Sequence, residues 1–105
     1  PIKVPDYDLC RVLTNIIDNA INAVENSSIS KDIELNIVSN SNDILIKSKN
    51  AFALNKSKKK DAQNHGYGQK IISDIAKKYN GTYTTKAENE YFSTVTQLNN
   101  IDLNE

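Results

Sequence analysis

The sequence holds one cysteine, one histidine, no methionine and no tryptophan, with only two prolines and three glycines. Each scarcity excludes something. Cys10 alone makes no internal disulfide and no CxxC site, and beside Leu9, Val12 and Leu13 it reads as a small core residue. His65 alone excludes a metal cluster built on histidines and any mechanism that needs two imidazoles. So little Pro and Gly is not the composition of a low-complexity linker. Neither sign of charge is in excess: thirteen Lys and Arg offset thirteen Asp and Glu. A formal net charge of zero gives no general case for binding nucleic acid or an anionic membrane. Long apolar runs are missing too, and none approaches the ~18 residues of a membrane span. No signal peptide opens the chain. It begins with Pro1 rather than Met, which leads to the expectation of a piece cut from a longer protein.

What is present is one modest domain. The 105 residues suit a single folded unit, 1–105, and apolar residues make up 38%. Fifteen Asn fill part of the apolar deficit. Leu9, Val12, Leu13, Ile16, Ile17, Ala20, Ile21, Ala23 and Val24 recur at spacings of three and four, which predicts a helix over about 8–25. Two alternating strands follow, around Ile33–Leu35–Ile37 and Ile44–Ile46, joined by the turn formers of 39–43 and expected to form a hairpin with one face buried. The segment 51–64 shows no period and reads as a mobile loop. A second helix is expected from Gly66 or Tyr67, with Ile71, Ile72, Ile75, Ala76 and Tyr79 as its apolar stripe and Gly81 as a left-handed cap. Two more β segments, 82–86 and 91–98, precede a polar tail, 99–105, expected to fray. The order helix, two strands, loop, helix, two strands predicts an α/β (α+β) two-layer sandwich. Its helices should lie on one face of a mixed, mostly antiparallel sheet.

Two features carry candidate chemistry. Asn15, Asp18, Asn19 and Asn22 fall in one sector of the first helix, expected opposite the middle of its apolar stripe. Asn and Asp are poor helix formers, so concentrating them on one face costs stability that a ligand contact would offset. Their short side chains suit a hard cation or a nucleotide. A plain solvated face is the other reading. The second feature is His65-Gly66-Tyr67-Gly68 directly before a helix, where exposed amides and the positive helix end accept an anion, with Lys58, Lys59 and Lys60 close by in sequence. An ordinary turn and a solvated Lys run are the alternatives.

Taken together, these features resemble the ATP-binding domain of the GHKL superfamily, which includes gyrase, chaperone, histidine kinase and mismatch-repair ATPases. Asn15-Ile16-Ile17-Asp18-Asn19-Ala20-Ile21 is similar to the N box of histidine kinases. His65-Gly66-Tyr67-Gly68, followed by Ile71-Ile72 and Tyr79-Asn80-Gly81, is similar to the G2 box and the helix after it. Lys59-Lys60-Asp61 resembles a lid segment of quorum-sensing, accessory-gene-regulator-type peptide-receptor kinases. The resemblance covers about 6–98. It implies ATP and Mg²⁺ as cofactors. Asn19 would be the metal ligand, with Asn15 beside the phosphates where related ATPases carry a Glu base, and Asn22 on the same face. Asn50 would take the place of the adenine-reading Asp. Lys59, His65, Gly66, Tyr67 and Gly68 would belong to the nucleotide site, and 51–64 would be its lid. It further implies a sensor histidine kinase domain that hands the γ-phosphate to a His on a separate dimerisation domain, with a response regulator downstream. The parent would be a homodimeric bacterial receptor anchored in the membrane, with this domain in the cytoplasm. A GHKL-like module that binds a protein partner without using ATP, and a small anion or nucleic-acid binder, remain alternatives.

Overall fold

A computed structural model describes residues 2–52, 59–101 and 103; for 59–67 only the helical backbone is described. The elements run α1 (Asp6–Glu25), β1 (Ile33–Ser39), β2 (Asp43–Ala51), α2 (Lys59–Lys78), β3 (Thr82–Glu88) and β4 (Tyr91–Asn99). The sheet order is β1-β2-β4-β3, and every described pairing is antiparallel. The two helices pack on the sheet, α1 against β1 and β2, α2 against β3 and β4. This is the expected α+β sandwich, with its strands antiparallel throughout. No described helix is long and apolar enough to cross a membrane.

Local chemistry explains the elements. Pro5 caps α1 with its carbonyl, which accepts the amides of Asp8 and Leu9, each at 3.1 Å. Val12, Ile16, Ala20 and Val24 are its buried stripe. Cys10 is exposed and not in the core, because it lies about 120° around the helix from Ile16. At the end of α2 the amide of Gly81 reaches Ala76 O and that of Asn80 reaches Lys77 O, the paired bonds of a Schellman motif. The left-handed residue is Asn80, φ 56°, and not Gly81 as expected. Gly81 is required for another reason: a Cβ there would lie 1.8 Å from the carbonyl oxygen of Gln97 in β4.

Three further expectations are corrected. The second helix starts at Lys59 rather than at Gly66 or Tyr67. Lys59, Lys60, Ala62 and Gln63 are good helix formers, enough to carry the helix back through the glycines. Of the expected loop 51–64, Ala51 therefore ends β2, 53–58 lie outside the described residues, and 59–64 is helical. The tail does not fray from residue 99. Asn99 belongs to β4, and Asn100 is buried and accepts the Lys3 amide at 2.7 Å. Ile101 packs against the core, while 102, 104 and 105 lie outside the described residues. Finally, the 33–46 hairpin buries one face of β2 only; all seven residues of β1 are exposed.

The core joins Val4, Val12 and Ile16 to Ile44 and Ile46, to Ile72, Ile75, Ala76 and Tyr79, and to Leu98. At its edge lies Asp8, 2% exposed, whose carboxylate accepts the Tyr79 hydroxyl and, at 2.9 Å, the Lys78 ammonium. Burial pushes the Asp8 carboxyl up, but hydrogen bonds from Tyr79 and Lys78 and the charges of Lys78 and Arg11 outweigh it. The net direction is below the ordinary 3.8. A carboxyl lowered in the folded state adds stability above its unfolded value and loses it as pH falls through the folded one. Asp8→Asn should thus destabilise the chain by about 2 kcal/mol at neutral pH, read by urea unfolding. The difference from the parent chain should shrink as pH drops below 3.8. A difference that stays constant from neutral to acid pH would contradict this assignment.

Candidate functional site

The sector of α1 that bears Asn15 and Asn19 is not opposite the apolar stripe. It is the flank on which α2 leans, and both side chains are half-buried there. Asp18 and Asn22, on the same sector, are exposed. The contact is made by Gly68, which is itself buried: a Cβ at this position would stand 3.1 Å from Asn15 Oδ1 and 3.3 Å from Asn19 Oδ1. The two sequence motifs thus meet at one junction, Gly68 lying 49 residues after Asn19 and 53 after Asn15.

The amides there have a definite sense. Asn15 Nδ2 donates to Arg11 O at 2.7 Å, one helical turn back, which turns Oδ1 toward Gly68. Asn19 Oδ1 is likewise its nearest atom to Gly68. The nearest atoms of both amides to Gly68 are thus oxygens, with Asn19 Nδ2 behind at 3.6 Å from the same Cβ position, and oxygen donors suit a hard cation far better than a bare anion. Among the described residues no group of three or more His, Cys, Asp or Glu is placed to hold a metal. Any cation here would rest on amide oxygen, water and the ligand's own oxygens, the manner usual for Mg²⁺.

The sheet beneath is graded. The inward residues of β2 run Ile44, Ile46, Ser48, Asn50, all buried, so the face turns from aliphatic to polar along one strand. Ser48 and Thr94 share a hydrogen bond of 2.7 Å between hydroxyls, and Asn50 Nδ2 donates to Ala51 O at 2.9 Å. Asn50 is 3% exposed, and Phe92 faces it across the ladder to β4. A buried amide beside two buried hydroxyls, next to an aromatic ring, can read the polar edge of a flat heterocycle. Ser48 and Thr94 were not singled out from the sequence. The available signal was their phase: each continues the inward alternation of its strand with a hydroxyl in place of an aliphatic chain.

The His65–Gly68 run is placed otherwise than expected. It lies inside α2, about six residues from the helix start at Lys59, so its amides serve helical bonds and the positive helix end is elsewhere. The side chains of Lys59, His65 and Tyr67 lie outside the described residues, so of this run only Gly68 is seen to meet the asparagines. A concavity of about 590 Å³ along β1, β2 and β4 includes none of the sequence-predicted site residues.

A family model described as GHKL domain matches residues 5–99 of the chain. The comparison with curated proteins returned no match. Gly68→Ala tests the junction directly. In the middle of a helix the change should be neutral or slightly stabilising, since Ala outranks Gly by about 1 kcal/mol. The added methyl should nonetheless shift the side-chain amide NMR signals of Asn15 and Asn19. Unmoved signals would separate α2 from the asparagine flank.

Proposed function

The chain belongs to the GHKL family, whose domains bind ATP, typically with Mg²⁺, and from that premise we propose that it is the catalytic domain of a sensor histidine kinase, presenting the ATP γ-phosphate to a His on a separate dimerisation domain. The observation that carries this reading is the meeting of Asn15, Asn19 and Gly68 at the α1–α2 junction. The residues present fit the cofactors. Two amide oxygens meet a glycine at the helix junction, on the same helix side of the sheet as the buried polar residues Ser48, Asn50 and Thr94.

When bound, ATP supplies the transferable phosphoryl group and Mg²⁺ the charge that neutralises its oxygens. The chain's own part is positioning. Asn19 offers Oδ1 to the metal, and Asn15 stands beside it with no ionisable group, so water there meets no strong base and hydrolysis is not promoted. Asn50 accepts from the adenine amino group or donates to a ring nitrogen. Asn22, one turn beyond Asn19, extends the polar flank. In this reading 51–64 is the lid, and Lys59, His65, Gly66 and Tyr67 belong to the nucleotide site beside the phosphates. The partners proposed with it are the phosphoacceptor domain of the same receptor and a response regulator, in a homodimeric bacterial parent anchored in the membrane, with this domain on the cytoplasmic side.

Titration with a fluorescent ATP analogue tests the binding roles. Asn19→Ala should weaken binding at least tenfold with Mg²⁺ present and much less in its absence; equal losses would make Asn19 structural. Asn50→Ala should reduce the preference for ATP over GTP, and an unchanged preference would remove it from the adenine site. Activity gives the decisive test. Alone, the chain should neither phosphorylate itself nor hydrolyse ATP appreciably. Mixed with its parent's dimerisation region it should phosphorylate that region's His slowly, because untethering lowers the effective concentration. The product should carry an acid-labile, base-stable phosphate. Phosphate on this chain alone, or ATP turnover abolished by Asn15→Ala, would refute the kinase assignment.

A further inference from the structure

The strand β1 is an edge of the described sheet, and it is left open in two directions at once. Its register sets Ile33 opposite Asn50, Leu35 opposite Ser48 and Ile37 opposite Ile46, so these three face the helix side with the buried residues of β2. Yet they are 36%, 40% and 49% exposed. Above them, Ile17 and Ile21 lie about 200° around α1 from Asn15 and Asn19. They therefore occupy the flank turned away from α2, and they too are exposed. Five aliphatic side chains thus line a furrow beside an unpaired strand edge.

The opposite edge is built differently. β3 carries Lys86 and Glu88, 3.6 Å apart, and three threonines. Such charges keep an edge from pairing, whereas β1 has a single charge, Glu34, no Pro and no Lys. Glu34 stands opposite Lys49 within its own sheet, and the Lys31 ammonium just before β1 is held by Val24 O and Ser27 O at 2.7 and 2.8 Å.

We propose that this face is a self-association surface, on which β1 of a second copy pairs antiparallel about a two-fold axis at Asn36 to make a continuous eight-stranded sheet. The geometry is self-complementary. Full pairing of a seven-residue strand matches Leu35 with Ile37 and Ile33 with Ser39, inward residue to inward residue, in both directions. Glu34 meets Val38 of the second copy, so no like charges come face to face. Strands about 4.8 Å apart set β2 and its copy about 14 Å apart. Helices 10–12 Å wide resting over them leave a furrow only as broad as the aliphatic side chains that line it. One seven-residue strand pairing with a few aliphatic side chains beside it makes a small interface, so the dimer is weak and concentration-dependent. Asn15, Asn19 and Gly68 lie on the other flank of α1, so the association is independent of the nucleotide reading.

Sedimentation equilibrium of the 105-residue chain from about 10 μM to 1 mM reads the association, and amide exchange at both concentrations locates it. The expected result is a rising dimer fraction, with the outward amides of β1 gaining protection. Leu35→Lys and Ile37→Lys, both at exposed positions, should each weaken dimerisation at least tenfold while leaving affinity for the ATP analogue unchanged. A monomer throughout, protection that appears on β3 instead, or a dimer that survives both substitutions would overturn the proposal.

Discussion

The relative setting of the two helices decides which side chains meet at their junction, and it is fixed at one end by a buried carboxylate. Asp8, in the first turn of α1, holds the last residues of α2 through Tyr79 and Lys78. The Lys78 ammonium also lies 5.7 Å from the centre of the Tyr7 ring and 5.5 Å from that of Tyr79, so one cation ties three elements of the clamp together. Gly68, three turns back along α2, inherits its distance from Asn15 and Asn19 from this anchor and from the packing of Ile72, Ile75 and Ala76 on the core. Asn15 and Asn19 can meet α2 this closely because α2 arrives there with no side chain.

The sheet supplies the second half of the design by changing character along its length. Ile44, Ile46 and Leu98 make the inner face aliphatic at one end, while the buried Ser48, Asn50 and Thr94 make it polar at the other, without any change in the strand pairing that carries them. The aliphatic core and the buried polar group thereby occupy different ends of the same two strands. Buried polar groups are costly unless partnered, and Ser48 and Thr94 meet part of that cost by bonding each other.

Much of this was legible in the residues. The period of α1, the alternation in β2 and β4 and the turn formers between them gave the element order, because each follows from burial of a repeating apolar face. The pairing of Asn15 and Asn19 was legible because the residue types were wrong for a solvated helix. What could not be read was where neighbours would arrive. Cys10 looked internal and is exposed, and Asn15 and Asn19, expected opposite the apolar stripe, are half-buried beside α2, because only tertiary packing decides which flank of α1 meets α2. The start of α2 was misplaced because Gly66 and Gly68 read as breakers, while the Lys, Ala and Gln before them favour a helix strongly enough to run through both. The apolar alternation of β1 was read as buried, and the sheet leaves it open.

One contact has a consequence for the connectivity itself. The Lys3 amide rests on the Asn100 side chain, whose own amide group reaches Asn40 O at 3.2 Å while its backbone N–H reaches Asn42 O at 2.9 Å. The entry to α1, the exit from β4 and the turn between β1 and β2 therefore share a single polar knot at one corner of the fold. Residues at opposite ends of the described chain are neighbours, so the linear order of the six elements is only one of the ways in which the same packing could be threaded. A short bridge across Lys3 and Asn100, with a new opening in an exposed turn such as Asn89–Glu90, would keep every sheet pairing and both helices while beginning the polypeptide at a different strand.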